Sequence, residues 1–105
     1  MSGRLAALDL AATTNTLLYT CPVGKVTTAN LSICNRNISS VTIRAALTDG
    51  VLVDLAVKDY FEYNCIVCSI PLERTAIVLK AGQSIIVYSD TANVSVVLWG
   101  WEETE

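Results

Sequence analysis

The feature that most constrains this chain is its alternation. From Thr16 to Trp101, apolar and polar residues exchange at every second position in short runs, and no window of useful length repeats at the helical period. Residues that bend the backbone separate the runs: Pro22-Val23-Gly24, the polar stretch Asn35 to Ser40, Asp49-Gly50, Ala81-Gly82 and Asp90 to Asn93. Short strands with a turn signal every ~8–12 residues mark a sandwich or barrel. The pattern therefore predicts an all-β fold, a single antiparallel β-sandwich of about eight short strands with jelly-roll or other Greek-key topology.

The clearest local signal is Leu17 to Asn37, which reads as a hairpin of two strands joined at Pro22-Val23-Gly24. In its second half Ala29, Leu31 and Ile33 share one face against Thr28, Asn30 and Ser32. A strand with Val41, Ile43, Ala45 and Leu47 on its apolar face follows. Val51 to Val57 reads as a short strand, with a helical turn over Leu52 to Lys58 as the competing reading. Further on, Phe61, Tyr63, Cys65 and Val67 are expected opposite Tyr60, Glu62 and Asn64. Arg74 to Leu79 alternates weakly, and Ser84 to Ser89 is rich in β-branched residues. The last strand puts Val94, Val96 and Leu98 on one face and Val97, Trp99 and Trp101 on the other.

At 105 residues the chain has the size of one domain. Residues 1–14 have no clean period and fit a short helical turn, an extended arm or an edge strand. They are taken as a possible N-terminal arm, and residues 102–105 as an acidic tail.

Composition now matters, because the chain is 52% hydrophobic and 16% charged, against about 25% charged in ordinary domains. A domain this small buries only about two-thirds of its surface, so some apolar residues stay outside and point to an interface. The apolar runs are far below the ~18 residues of a spanning helix, so no membrane partner is expected. No signal-peptide pattern opens the chain, which suggests synthesis in the cytoplasm. A net charge of -3 with seven scattered basic residues leaves no footprint for nucleic acid.

Little in the chain suggests catalysis. It has no histidine, the commonest general base and metal ligand. Asp59 and Glu62 are the carboxylates closest to an acid–base pair, but their spacing sends them to opposite faces of a strand, where solvated carboxylates are expected. Cys65 and Cys68 form a CxxC that Cys21 and Cys34 would have to complete into a zinc site. The intervening Ile66 and Val67 are strand formers, so the thiols are read as four reduced, mostly buried side chains, with a Cys21–Cys34 disulfide as the alternative. No metal or cofactor is expected, and the chain reads as a non-enzyme. Trp99, Trp101 and Tyr88 are candidates to stack on a sugar, yet Val97, Ile86 and Leu98 beside them favour core or subunit contact. The candidate contact residues are Leu5, Leu8, Val97, Trp99 and Trp101.

The ordered segments LYTCPVGK, TTANLSICNRN, VTIRAAL, DYFEYNCIV and LERTAIVLKAGQSIIVYSDTANVSVVLWGWEE resemble a group of small structural proteins of tailed-bacteriophage virions. The resemblance spans roughly residues 12–103, and its most specific parts are the turns PVGK and KAGQ, the NRN corner, the DYxEY strand and the terminal VSVVLWGWEE. Cys65 to Cys68 and Pro71 depart from it locally. The resemblance implies a capsid decoration or cement protein that stabilises the assembled head, with the major capsid protein as partner and a dimer or trimer as its own state. A tail, collar, baseplate or fibre-attachment component is the first alternative, and a carbohydrate-binding sandwich for host attachment the second.

Overall fold

The computed structural model describes residues 2–49, 59–67 and 70–104. The described residues form eight strands: β1 (Ser2–Leu10), β2 (Thr16–Thr20), β3 (Lys25–Asn35), β4 (Val41–Thr48), β5 (Tyr60–Ile66), β6 (Leu72–Lys80), β7 (Ser84–Ser89) and β8 (Val94–Thr104). They make two four-stranded antiparallel sheets, ordered β1-β8-β3-β6 and β2-β7-β4-β5. The all-β sandwich expected from the alternation is therefore present. The strand and helical readings of residues 51–58, and Cys68, lie outside the described residues.

The order is nested: β1 pairs with β8, β2 with β7, β3 with β6 and β4 with β5. Of these pairs only β4 and β5 are consecutive in sequence, so the other connections cross between sheets. That overturns the hairpin expected from Leu17 to Asn37, because β2 and β3 lie in different sheets. The turn itself forms, with the Lys25 amide donating to the Pro22 carbonyl at 3.2 Å and Gly24 at a φ of 81°. The end of β2 is bonded elsewhere. The Cys21 amide donates to the Gln83 carbonyl at 2.9 Å, and the Gly82 amide to the Cys21 carbonyl at 3.0 Å, tying the segment to the β6–β7 turn. Turn residues bend a chain without choosing its partner. Here both strands point apolar side chains into one interior, Leu18 from one side and Ala29, Leu31 and Ile33 from the other.

That interior is filled as the alternation predicts: Val41, Ile43 and Ala45 of β4, Ile85 and Val87 of β7, and Val94, Val96 and Leu98 of β8 all face it and are buried. Each large side chain fully buried there contributes roughly 1.5–3 kcal/mol. At one end Asn35 closes the corner, donating to the carbonyls of Ser39 (2.8 Å) and Ile66 (3.1 Å) and accepting from the Asn37 amide (2.9 Å). Asn37 donates to Ala92 at 2.8 Å, and Arg36 pairs with Asp9. The NRN stretch thus joins both sheets.

Each of the four edge pairings contains a register shift, whereas the interior pairings β3·β8 and β4·β7 run unbroken. In every case the additional residue sits on the edge strand: Leu5 in β1, Leu18 in β2, one residue between Arg74 and Ile77 in β6, and Phe61 in β5. Bulged edges twist away from a straight template and resist pairing with another chain.

The β5 bulge corrects the expected faces of that strand. With Phe61 set out of register, Tyr60 lies on the side of Tyr63 and Cys65, opposite Glu62 and Ile66. Glu62 is then turned inward, 9% exposed, against the expectation of a solvated carboxylate. The Arg74 guanidinium forms an ion pair with it, Nε to Oε1 at 2.6 Å, bridging the edge strands of the two sheets. The expected acidic tail continues as the end of β8, where Glu102 accepts a hydrogen bond from the Tyr19 hydroxyl.

Candidate functional site

β8 lies between β1 and β3, and its odd-numbered residues from Ser95 to Glu103 face away from the core. Adjacent strands supply what stands beside them. Trp101 is opposite Thr28, which is in turn opposite Val78 of β6. Trp99 lies between Arg4 and Asn30, and Val97 between Ala7 and Ser32. Two residues along a strand are ~7 Å apart, so the two indoles stand side by side on one face. Trp99 and Val97 are half-buried, while Trp101 and Val78 are 44% and 57% exposed. The Trp101 indole N–H donates to Glu103 at 2.6 Å, and Asn30 accepts from the Ala76 amide at 3.2 Å.

Of the five candidate contact residues, the structure thus brings Val97, Trp99 and Trp101 together on this face. Leu5 and Leu8 go elsewhere: Leu8 lies opposite the core residue Val96, the β1 bulge at Leu5 lets that side chain join the same side, and both pack against the core. Val78, Arg4, Thr28 and Asn30 were missed as neighbours. They belong to other strands, and only the pairing register reveals them. The same register changes the sugar platform: Tyr88 is in the other sheet, leaving Trp99 and Trp101. Of their expected apolar neighbours Val97 stays beside them while Leu98 is in the core and Ile86 in the other sheet, with Arg4, Thr28 and Asn30 as polar flanks.

The cysteines do not converge. Cys21 is buried, with its thiol 3.4 Å from the Lys25 carbonyl and 3.2 Å from the Thr27 hydroxyl. Cys34 lies near the other end of β3, nine residues beyond Lys25 and therefore ~30 Å from that end. That separation excludes the Cys21–Cys34 disulfide. Cys34 and Cys65 are both exposed, on the outer faces of different sheets, against the expectation of burial. Among the described residues no three His, Cys, Asp or Glu side chains gather as a metal site would need.

Two further places carry polar or concave character. A polar chain runs from Cys21 through Thr27 to the Tyr19 hydroxyl, 2.9 Å from Thr27, and on to Glu102. Burial first, and then the bond to Glu102, push the Tyr19 pKa up to about 12. The phenol therefore stays protonated at neutral pH and serves as a fixed donor. At the β5–β6 connection a groove is lined by Ile66, Val67, Ile70, Pro71 and Leu72, with Asn64 and the exposed Cys65 as its polar members.

No protein-family model matches the chain, and no curated protein or solved structure matches it either. Among the described residues no helix is long and apolar enough to cross a membrane. The fold and the site together define a two-sheet β-sandwich with an aromatic and aliphatic outer face.

Proposed function

We propose that this chain is a non-enzymatic structural protein of a tailed-phage virion, a decoration protein that docks on the assembled head through the outer face of β1-β8-β3-β6. The observation that carries this reading is the cluster Val97, Trp99, Trp101 and Val78, left partly open to solvent on that face. Tryptophan is enriched where interfaces concentrate binding energy. The PVGK, NRN and VSVVLWGWEE stretches supply the phage setting by resemblance, and the nested strand order is read as a jelly roll. Its partner is the major capsid protein, it acts as a dimer or trimer, and it reaches the virion from the host cytoplasm. Binding the assembled lattice in preference to free subunits stabilises the shell by mass action, and many modest contacts add up over a particle.

The test is rebinding. Purified protein added to stripped heads should restore hundreds of copies, counted by electron microscopy, and Trp101→Arg should abolish rebinding without changing the thermal unfolding of the free protein. A tail, collar, baseplate or fibre-attachment component would appear at tens of copies or fewer. The glycan reading is favoured by one specific observation, the polar flank of Arg4, Thr28 and Asn30 around the indoles. Glycan binding lost in Trp99→Ala, together with no rebinding to heads, would replace decoration by host-surface attachment.

A further inference from the structure

The outer face of the other sheet carries a cluster that this docking reading does not use. Arg44 stands at the centre of a row across three strands, opposite Tyr63 of β5 and Tyr88 of β7. The carbon at the centre of its guanidinium lies 3.7 Å from the middle of the Tyr88 ring and 5.8 Å from those of Tyr60 and Tyr63. Tyr60 and Tyr63 meet edge to face, 6.3 Å apart at 83°. Tyr60 reaches this cluster because Phe61 is bulged out of register. In the next row Ala46 and Ile86 are buried and Leu17 is half exposed, so the guanidinium sits where the open part of this face gives way to covered apolar side chains.

Arg44 differs from the arginines whose partners are carboxylates. Arg36 pairs with Asp9 and Arg74 with Glu62, whereas among the described residues no carboxylate is joined to Arg44, and its Nε is buried with no hydrogen-bond partner. Ring faces stabilise the positive charge. They do little for the N–H donors, of which a guanidinium has five and which no acceptor on the side chain can offset. An unmet buried donor is costly. The group that would answer the charge and the terminal N–H donors is an oxyanion, which arginine holds with two parallel bonds. The phenols of Tyr60, Tyr63 and Tyr88 border the guanidinium, and the buried Nε senses the ligand without touching it.

We propose that Arg44, framed by Tyr60, Tyr63 and Tyr88, is a recognition site for one oxyanion, the carboxylate or phosphate group of a ligand. The net charge of -3 favours a single charged group over a polyanion. The site lies on the opposite face of the sandwich from the indoles, so it stands or falls apart from the docking reading.

The test titrates the full chain with sodium acetate and, separately, inorganic phosphate, at constant ionic strength against sodium chloride, following the Arg44 Nε–H and tyrosine ring signals by NMR. Saturable shifts confined to these residues are expected for one of the two anions, and which one identifies the ligand group. Arg44→Gln should weaken binding at least about tenfold, and Arg44→Lys should recover it only partly, because the forked geometry is lost. Should Arg44→Gln fail to fold, Tyr63→Phe at a ring 68% exposed provides the second variant, expected to weaken binding several-fold. Shifts no larger than those with chloride, or equal affinity in every variant that folds, would overturn the site.

Discussion

At the scale of single residues, Tyr19 shows how burial turns a side chain into a fixture. Its hydroxyl donates to Glu102 and meets Thr27, and its pKa rises from 10.0 to about 12 because the phenolate would be formed away from water and beside a carboxylate. The consequence for stability follows from proton counting. Below the unfolded value both states hold the proton, and between about pH 10 and 12 the unfolded chain has released it while the native one keeps it. The contribution is therefore complete below about pH 10 and is lost as pH rises through about 12. Tyr19→Phe should be less stable than the parent at pH 8 by about 1–2 kcal/mol, since Thr27 and Glu102 lose a partner, and should show a shallower decline in the alkaline range. Denaturant midpoints measured across that range decide the matter, and parallel declines would refute it. None of this was legible beforehand, because Tyr19 and Glu102 are 83 positions apart in sequence.

At the scale of elements, alternation was legible wherever a strand is straight and paired on both sides. β3 and β8 came out with their core and solvent faces as read, and they are the unbroken pair of the first sheet. Reading failed on the edges. A bulge is one residue that no period announces, so Phe61 exchanged the face of Tyr60, and Leu5 joined the inward face of β1. It failed also at the Pro22-Val23-Gly24 turn, whose chemistry is local while the choice of sheet is not. The site suffered the same division: Trp99 and Trp101 were legible from period two, but Val78, Asn30 and Arg4 depend on register. Gly100 gives the central strand its one place of closest approach. It lies between Gly3 and Ala29 at a φ of 152°, and a Cβ there would stand 2.1 Å from the Thr28 carbonyl oxygen. Because that obstacle is backbone in the middle of a sheet, it has nowhere to move. Gly100→Ala should lose roughly 2–4 kcal/mol, seen as a thermal midpoint lower by on the order of 10 °C; an unchanged midpoint would mean that β8 and β3 separate more easily than their unbroken ladder implies.

At the scale of the molecule, the nested order makes the N-terminal segment part of the fold's closure. β1 is the only partner of β8 on its outer side, and it carries Leu10 into the core with Leu5 and Leu8 packed against it. An arm and an edge strand were both open from sequence, and they make opposite predictions. Removing an arm would leave the sandwich intact. Removing β1 takes away three apolar side chains worth up to roughly 1.5–3 kcal/mol each, against a total stability of about 5–15 kcal/mol for a typical domain, and leaves the long, regular β8 as an unprotected edge. A chain lacking residues 2–10 should therefore lose its cooperative unfolding transition or aggregate. A synthetic peptide of that sequence, added in trans, should restore a soluble species by refilling the gap beside β8. Thermal unfolding and sedimentation of the truncated chain, with and without the peptide, separate the two cases. A monodisperse truncated protein with the parent's midpoint would make residues 2–10 an arm after all, and would free Leu5 and Leu8 to join Trp99 and Trp101 at the interface.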